Sequence, residues 1–297
     1  MDNPQLHAVH QFLKSQLTEA SDLSLDGMRT NLDNVGRLAP PLPGVTREVV
    51  DTGVVRSEWI RPADADEGRA ILFVHGGGYM LGSVDSHRDL ISRIAVAAKA
   101  PALAIEYRRA PEHPFPAGLD DTLASYRWLV GPGGYAPAKV ALVGESAGAG
   151  LLLGAALQIR DTEGLDSPGA LVCMSPWTDL TLSSSSLATV EDPSMKAPYV
   201  AMMAQAYLAG QDPKTPGASP LHAELAGLPP ILLQAGAAEA LRDDSERFAE
   251  RCKEAGVDVT LELWDDMFHA FQLWAAMLDE AKRAIEAVGE FTRARTS

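Results

Sequence analysis

Short apolar runs alternate with longer segments of helical periodicity through the middle and end of the chain. This alternation is typical of parallel strands joined by crossover helices. It predicts an α/β fold with a mostly parallel central sheet flanked by helices. The strands are expected at six apolar runs: Ala70–Val74, Ala102–Glu106, Lys139–Val143, Gly169–Cys173, Ile231–Gln234 and Val257–Leu263.

Two segments interrupt the alternation, and both predict helical additions to the sheet. Residues 181–228 are rich in Ser, Pro and Met, and because so long a structureless loop is uncommon in a compact domain, we expect an inserted helical cap. Residues 1–45 hold two amphipathic patterns and end in a proline run. The apolar positions of these patterns are Leu6, Val9, Leu13 and Leu17, then Leu25, Met28, Leu32 and Val35.

The expected organisation therefore has four parts. An N-terminal helical cap segment (1–45) precedes the first part of the α/β core (46–180), and the inserted cap segment (181–228) separates it from the second part of the core (229–297). Within the insertion, one apolar helical face is predicted. It is formed by Tyr199, Met202, Met203, Ala206 and Tyr207.

Two features of the last third of the chain concern helices. Asp243 and Glu246 have the spacing of a helix N-cap and its reciprocal partner, so we expect them to cap a helix. The last helix has a strong 3.6-residue period and is expected to pack on the sheet. Its apolar stripe comprises Phe271, Trp274, Leu278, Ile285 and Val288.

Charge and composition narrow the possible partners. With 40 acidic and 25 basic side chains, the formal charge of −15 would repel nucleic acid and anionic lipid surfaces. The first residues lack the basic patch and apolar run of a signal peptide, and no stretch is long enough for membrane insertion, so a cytoplasmic location is expected. Cys173 and Cys252 lie in apolar and helical runs, which predicts buried reduced thiols and no metal site.

A serine stands at the centre of the sequence Gly-Glu-Ser-Ala-Gly at residues 144–148. The motif follows the predicted strand Lys139–Val143 and precedes a helical run, Ala149–Arg160. A serine hydroxyl projects above a sheet when it stands on a sharp strand-to-helix turn, and flanking glycines let the backbone bend there. Ser146 is therefore the candidate nucleophile. The Ala147 N–H, free at the helix start, would face negative charge developing beside it.

The sequence His-Gly-Gly-Gly at residues 75–78 directly follows the predicted strand Ala70–Val74. A glycine run after a strand is often only a flexible turn. Beside a nucleophile turn, its exposed amides instead predict the second half of an oxyanion hole, the set of N–H donors that stabilises the negative oxygen formed during acyl transfer.

A serine hydroxyl needs a base to accept its proton, and the chain has seven histidines. In α/β hydrolases the nucleophile is followed by the acid and then the base, so only His222 and His269 come late enough. His222 falls in the inserted segment. His269 lies in the loop after the predicted strand Val257–Leu263, at the correct edge of the sheet, and is the predicted base.

The acid is expected in the loop after the predicted strand Ile231–Gln234. Glu239 is nearest the strand end, whereas Asp243 and Asp244 begin a helix. Asp265 and its neighbour Asp266 are too close in sequence to His269 to support its ring. Glu239 is the predicted acid, and Asp243 is the alternative.

Five motifs occur in the order and spacing of the hormone-sensitive lipase family of bacterial carboxylesterases, so the chain from about residue 51 to residue 274 resembles that family. In one-letter code the motifs are HGGGY at 75–79, YRRAPE at 107–112, GESAG at 144–148, SPWTDL at 175–180 and FHAF at 268–271. The resemblance implies an α/β-hydrolase fold with a cap built from the N-terminal helices and the insertion. It also implies hydrolysis of short- to medium-chain acyl esters through an acyl-enzyme, without a cofactor.

By this resemblance Ser146 is the nucleophile and His269 the base, while Gly77, Gly78 and Ala147 supply the oxyanion amides. Three positions depart from the family pattern. Glu239 occupies the position of a usual aspartate, Glu145 stands where aspartate is commoner, and Arg109 replaces a leucine. The last two departures are expected to affect local packing and loop anchoring.

Other functions and assemblies stay open at this stage. A catalytically silent ligand receptor could use the same fold, and an amidase or peptidase could use the same triad chemistry. The expected partner is a small-molecule ester. The edge strand predicted at Val257–Leu263 could pair with a second copy, which leaves a homodimer open.

Overall fold

The computed structural model describes residues 3–19 and 24–297 of the 297-residue chain. Residues 1–2 and 20–23 of the predicted N-terminal cap segment, and the side chain of Leu17, lie outside the described residues. The chain opens with two helices, α1 (Pro4–Glu19) and α2 (Leu25–Gly36). Helix α2 is capped by Ser24, whose hydroxyl accepts a hydrogen bond from the N–H of Gly27. Both amphipathic patterns are therefore helical.

The described residues form one sheet of eight strands in the order β1-β2-β4-β3-β5-β6-β7-β8. The pairs β1–β2 and β2–β4 are antiparallel, and every other neighbouring pair is parallel. The chain therefore has the α/β-hydrolase architecture, a mostly parallel sheet flanked by helices. The strands are β1 (Val45–Asp51), β2 (Arg56–Pro62), β3 (Ala70–Val74), β4 (Ala102–Ile105), β5 (Val140–Glu145), β6 (Ala170–Met174), β7 (Ile231–Gly236) and β8 (Val259–Trp264).

Helices cover both faces of the sheet, which explains why every residue of β3 to β7 is buried and why these strands are mostly apolar instead of alternating. Two buried clusters result, one on each face. The remaining α-helices are α3 (Arg88–Ala98), α4 (Ala117–Val130), α5 (Ala147–Asp161), α6 (Ser185–Thr189), α7 (Ala197–Leu208), α8 (Arg242–Glu254) and α9 (Asp279–Arg295). Three short 3₁₀ turns occur at Pro137–Lys139, Pro220–His222 and Phe271–Trp274.

All six predicted strands are present, with ends displaced by up to two residues. The antiparallel hairpin β1–β2 was not predicted. Its first strand has no buried residue and contains charged side chains such as Arg47 and Glu48, so it lacks the apolar run by which the other strands were identified. Pairing with β2, which itself pairs with β4, holds this outer strand on the sheet.

The prediction of one continuous last helix was wrong. Phe271–Trp274 form a 3₁₀ turn, the backbone is extended at Leu278, and α9 begins at Asp279. Asp279 and Glu280 lie in the first turn of α9, where negative charge is favourable. The apolar side chains of the predicted stripe still face the core, because most of them belong to one buried cluster.

Inside the insertion, α7 coincides with the predicted apolar helix, but the predicted packing face was partly wrong. Tyr199 is 50% exposed and Met202 is 39% exposed. The buried side of α7 is formed instead by Val200, Ala204, Tyr207 and Leu208. The buried stripe is therefore rotated relative to the predicted one, with Tyr207 common to both.

The predicted capping role of Asp243 and Glu246 was also wrong. Helix α8 begins at Arg242, its N-cap is Leu241, and no side chain caps it. Asp243 instead accepts hydrogen bonds from the hydroxyl of Ser185 and the N–H of Ser186, so it ties α8 to α6 of the insertion.

Cys173 and Cys252 are buried free thiols, as predicted, and burial raises the pKa of both. Both thiols are therefore neutral near pH 7 and poorly nucleophilic. Among the helices of residues 3–19 and 24–297, none combines the length and apolar composition that a membrane span requires.

Because β5 is central and covered on both faces, a cavity in it should destabilise the protein. Leu142 is 0% exposed, so Leu142→Ala is expected to lower the free energy of unfolding by about 2–5 kcal/mol. The same change at Leu38, which is 64% exposed, should cost less than about 0.5 kcal/mol. Urea unfolding followed by circular dichroism measures both variants, and equal effects would contradict the assignment of β5 to the core.

Candidate active site

The turn between β5 and α5 holds Ser146 in a backbone conformation that few side chains adopt. Its φ is 52° and its ψ is −118°. The N–H of Ser146 donates to the carbonyl of Met174 at 2.8 Å, which fixes the turn to the neighbouring strand. Two residues later, the Cα of Gly148 packs so closely on the carbonyls at the end of β3 that a Cβ would collide with them. The sharp bend therefore projects the Ser146 hydroxyl above the sheet.

The loop after β3 lies beside this turn. Gly77 and Gly78 have φ values of 111° and 60°, a region that favours glycine. The N–H groups of these two residues, and that of Ala147 at the start of α5, donate no hydrogen bond to any other described residue. Free amides at a helix start and in a glycine loop are the donor arrangement that can stabilise a developing negative oxygen.

His269 reaches Ser146 from the loop after β8. Its Nε2 lies 2.9 Å from the Ser146 Oγ, within hydrogen-bond distance. Both residues are nearly enclosed, since Ser146 is 4% exposed and His269 is 6% exposed. The imidazole is therefore positioned to accept the hydroxyl proton, while the other late histidine, His222, pairs with Asp179 at 3.0 Å.

Glu239, in the loop after β7, faces the other nitrogen of the His269 ring. Its Oε1 lies 3.6 Å from Nδ1, and both atoms are buried without a hydrogen bond to another described residue. Its Oε2 accepts a hydrogen bond from the Gly236 N–H at 2.8 Å. The structure thus brings together the predicted nucleophile, base and acid, while the alternative acid, Asp243, bonds to Ser185 and Ser186 instead.

Ser175 joins the Glu239 loop to the His269 loop, a link that the sequence analysis did not identify. Its hydroxyl donates to Glu239 Oε2 at 2.7 Å and accepts from the N–H of Ala270 at 3.0 Å. Its own N–H donates to the Gln234 carbonyl at 2.6 Å, and its φ is 47°. A signal was available, because the motif containing Ser175 follows β6 at the same edge of the sheet.

The electrostatic environment favours the charged form of the His269 ring. Burial alone lowers the pKa of His269, but the adjacent Glu239 carboxylate, with Glu145 and Asp192, outweighs this effect and raises it to about 9. Negative groups from three different parts of the chain therefore favour a positive charge on this ring.

The carboxylate of Glu145, at the end of β5, packs against the glycine loop. Its Oε2 lies 3.0 Å from the His87 Nε2, and its Oε1 lies 3.7 Å from the His269 Nε2. The Gly76 N–H donates to the same His87 nitrogen at 3.2 Å. The carboxylate packs so tightly on Gly76 that a Cβ there would collide with it. The side chain at this departure from the family pattern therefore packs against the glycine loop.

The remaining departure, Arg109, also anchors a loop. Its guanidinium donates to the carbonyl of Gly82, four residues after the glycine loop ends at Gly78.

His75, the residue that begins the glycine loop, stacks on the ring of Tyr107 with centroids 4.3 Å apart. Burial and the nearby His87 lower the pKa of His75 well below its ordinary value, so its ring is neutral. Within the described residues, no group of three or more His, Cys, Asp or Glu could hold a metal ion.

Comparison with known proteins gives a consistent picture. A sequence profile described as the α/β-hydrolase fold matches residues 71–273. An acetyl-hydrolase of Streptomyces hygroscopicus is 40% identical, with 100% of this chain and 98% of that protein covered. An esterase of Acinetobacter venetianus is 36% identical, with 95% of this chain and 94% of that protein covered.

Solved structures agree over the whole chain. The crystal structure of an esterase from the bacterial hormone-sensitive lipase family is 40% identical with a TM-score of 0.95, and both chains are covered completely. The crystal structure of EstE5 soaked with p-nitrophenyl butyrate is 39% identical with a TM-score of 0.93, and 99% of each chain is covered.

The contact between Gly76 and Glu145 makes the position of the glycine loop testable. Gly76→Ala should push the loop away from Ser146 and slow covalent attachment of an organophosphate to Ser146 by about 10²-fold, because the oxyanion donors move. Intact mass spectrometry measures the labelling rate. Gly68→Ala, in the turn before β3, is the control and should label at the wild-type rate. Unchanged labelling of the Gly76 variant would show that this loop does not assist the serine.

Proposed function

The chain belongs to the hormone-sensitive lipase family of α/β-hydrolase esterases, and we propose that it hydrolyses short- to medium-chain acyl esters through Ser146, His269 and Glu239. As a carboxylic ester hydrolase it acts on small-molecule esters. The observation that best supports this triad is the 2.9 Å contact between the Ser146 hydroxyl and the His269 Nε2, on a strained turn flanked by free amides.

In the first step the Ser146 Oγ attacks the ester carbonyl carbon while His269 Nε2 takes the hydroxyl proton. The carbonyl oxygen becomes negative, and the N–H groups of Gly77, Gly78 and Ala147 bind it. The C–O bond to the alcohol then breaks, and His269 returns its proton to the leaving alkoxide oxygen. The product of this step is the free alcohol and an acyl group bonded to Ser146.

In the second step a water molecule replaces the alcohol. His269 takes a proton from the water, the hydroxide oxygen attacks the acyl carbon, and the Ser146 oxygen leaves with the proton from the imidazolium. The carboxylate of Glu239 holds the ring orientation and stabilises its charge in both steps. Its 3.6 Å distance from Nδ1 is expected to shorten when the ring becomes charged.

The acyl preference is inferred from the relatives and from the enclosure of the serine. One relative is named an acetyl-hydrolase, and EstE5 was soaked with a butyrate ester. In this chain Met203 of α7 packs against Gly78 so closely that a Cβ at Gly78 would collide with its sulfur. The inserted cap segment therefore limits the space above the oxyanion loop, which favours a small acyl group. We further propose that residues 1–45 and 181–228 together form the cap.

The nucleophile can be tested by covalent labelling and by substitution. An organophosphate should add one group per chain at Ser146, located by peptide mapping, and Ser146→Ala should lower kcat for p-nitrophenyl butyrate by more than about 10⁴-fold. The control Ser297→Ala, near the C-terminus, should keep full activity. Labelling at a different residue, or turnover that survives Ser146→Ala, would overturn the proposal.

The pH dependence tests the base and the acid together. Only neutral His269 can accept the serine proton, so kcat/KM should rise with pH and reach half its maximum above the ordinary histidine value of about 6.5. The raised pKa of His269, about 9, sets the direction of this shift. Glu239→Gln removes the charge that raises it, so the midpoint should move to lower pH while kcat falls on the order of 10³–10⁴-fold. A wild-type rate already constant from pH 6 upward would contradict this assignment.

A further inference from the structure

Asp192 is a buried carboxylate of the inserted segment, located between α6 and α7 with 0% exposure. Its Oδ2 accepts hydrogen bonds from two backbone N–H groups, that of His269 at 3.0 Å and that of Ala240 at 3.0 Å. The first donor belongs to the proposed base. The second belongs to the residue that follows the proposed acid, Glu239. One oxygen atom of the insertion therefore joins the two loops that carry the base and the acid.

The other oxygen of Asp192 fixes the carboxylate itself. Oδ1 accepts the N–H of Ser194 at 2.8 Å and its hydroxyl at 2.6 Å. The Ser194 hydroxyl also lies 3.2 Å from the carbonyl oxygen of His269, so residues 192–194 contact both backbone polar groups of that residue. Four hydrogen bonds to one carboxylate leave it little freedom to rotate.

The surroundings of Asp192 contain few compensating charges. His10 of α1 packs edge-on against Phe268, with ring centroids 5.2 Å apart, and burial lowers its pKa despite the attraction of Asp192. The ammonium of Lys196 donates to the backbone carbonyl of Asp192, at 3.1 Å. The Asp192 carboxylate is therefore stabilised by hydrogen bonds, two from the His269 and Glu239 loops and two from Ser194, and not by an ion pair.

We propose that Asp192 is a positioning residue for ester hydrolysis, which holds the His269 loop and the Glu239 loop at a fixed separation from within the inserted segment. This inference rests on the triad proposed above. When the inserted segment packs on the core, Asp192 completes the alignment of His269 and Glu239. The packing of the cap and the geometry of the triad are therefore coupled through one carboxylate. Ser175 joins the same two loops from the core side, and Asp192 joins them from the cap side.

The test compares Asp192→Asn and Asp192→Ala with the wild type. Asparagine replaces one carboxylate oxygen by an NH₂ group, which cannot accept a hydrogen bond. The variant therefore keeps the bonds to one oxygen only, and it carries no charge. Because a displacement of about 1 Å at a reacting group can cost 10²-fold in rate, Asp192→Ala should lower kcat by about 10²-fold and Asp192→Asn by less. KM for p-nitrophenyl butyrate should change little, since the acyl site keeps its lining.

A pH profile separates positioning from general destabilisation. Glu239, Glu145 and Asp192 are the negative groups that raise the pKa of His269, and Asp192 acts from its position at the backbone N–H of that residue, so removing the charge of Asp192 should move the midpoint of kcat/KM to lower pH. The matched control for Asp192→Ala is Asp243→Ala, which removes another carboxylate link between the insertion and the core, at Ser185 and Ser186. This control should keep the wild-type midpoint and most of kcat. Melting temperatures, followed by circular dichroism, show whether each variant is folded.

Two results would overturn the inference. Asp192→Asn with wild-type kcat and midpoint would show that the bridge is dispensable, and equal losses in the Asp192 and Asp243 variants would show that any cap tether has the same effect. If Asp192→Ala does not fold, Asp192→Asn and Ser194→Ala decide the question. Failure of the triad itself is recognised separately, because then wild-type protein would not be labelled at Ser146.

Discussion

The unfavourable backbone conformation at Ser146 is the constraint on which the rest of the site depends. A φ of 52° is energetically unfavourable for a residue that has a side chain. Such a conformation persists only where the surrounding structure fixes it. Here β5 lies in the middle of the sheet, the Ser146 N–H bonds to the next strand, and α5 packs against the end of β3. The buried core therefore holds the backbone in this turn. Without that core, the backbone at Ser146 would adopt a more favourable conformation.

From this turn outward, the site is assembled at one edge of the sheet by loops that are far apart in sequence. The glycine loop follows β3, Ser146 follows β5, Ser175 follows β6, and the loops that carry Glu239 and His269 follow β7 and β8. Short polar side chains join these loops, as the Ser175 hydroxyl does by donating to Glu239 and accepting from the N–H of Ala270. Enclosure then strengthens the electrostatic effect of each charge on the imidazole.

Sequence patterns predicted most of the strands, but they did not predict all of the contacts that hold the site together. Apolar runs located six of the eight described strands within two residues, because β3 to β7 are covered on both faces and carry few polar side chains. The hairpin β1–β2 lacked that signal, since β1 is exposed and β2 carries charged side chains such as Arg56 and Glu58. The sequence analysis predicted roles for Ser146, His269 and Glu239 in loops at the edge where their side chains meet, and these roles remain predictions. The links made by Ser175 and Asp192 could not be inferred, since they depend on side chains whose partners lie 64 to 95 and 48 to 77 residues away.

The position of β8 at the edge of the sheet affects how the enzyme loses activity on warming. The strand that precedes His269 is the outermost of the sheet, pairs with β7 alone, and has no buried residue. Backbone hydrogen bonds at such an edge open more readily than those of β5, which holds the serine. On warming, His269 would lose its alignment while the turn that holds Ser146 is still intact. Inactivation would then begin as local fraying and would reverse on cooling, well before the core itself melts.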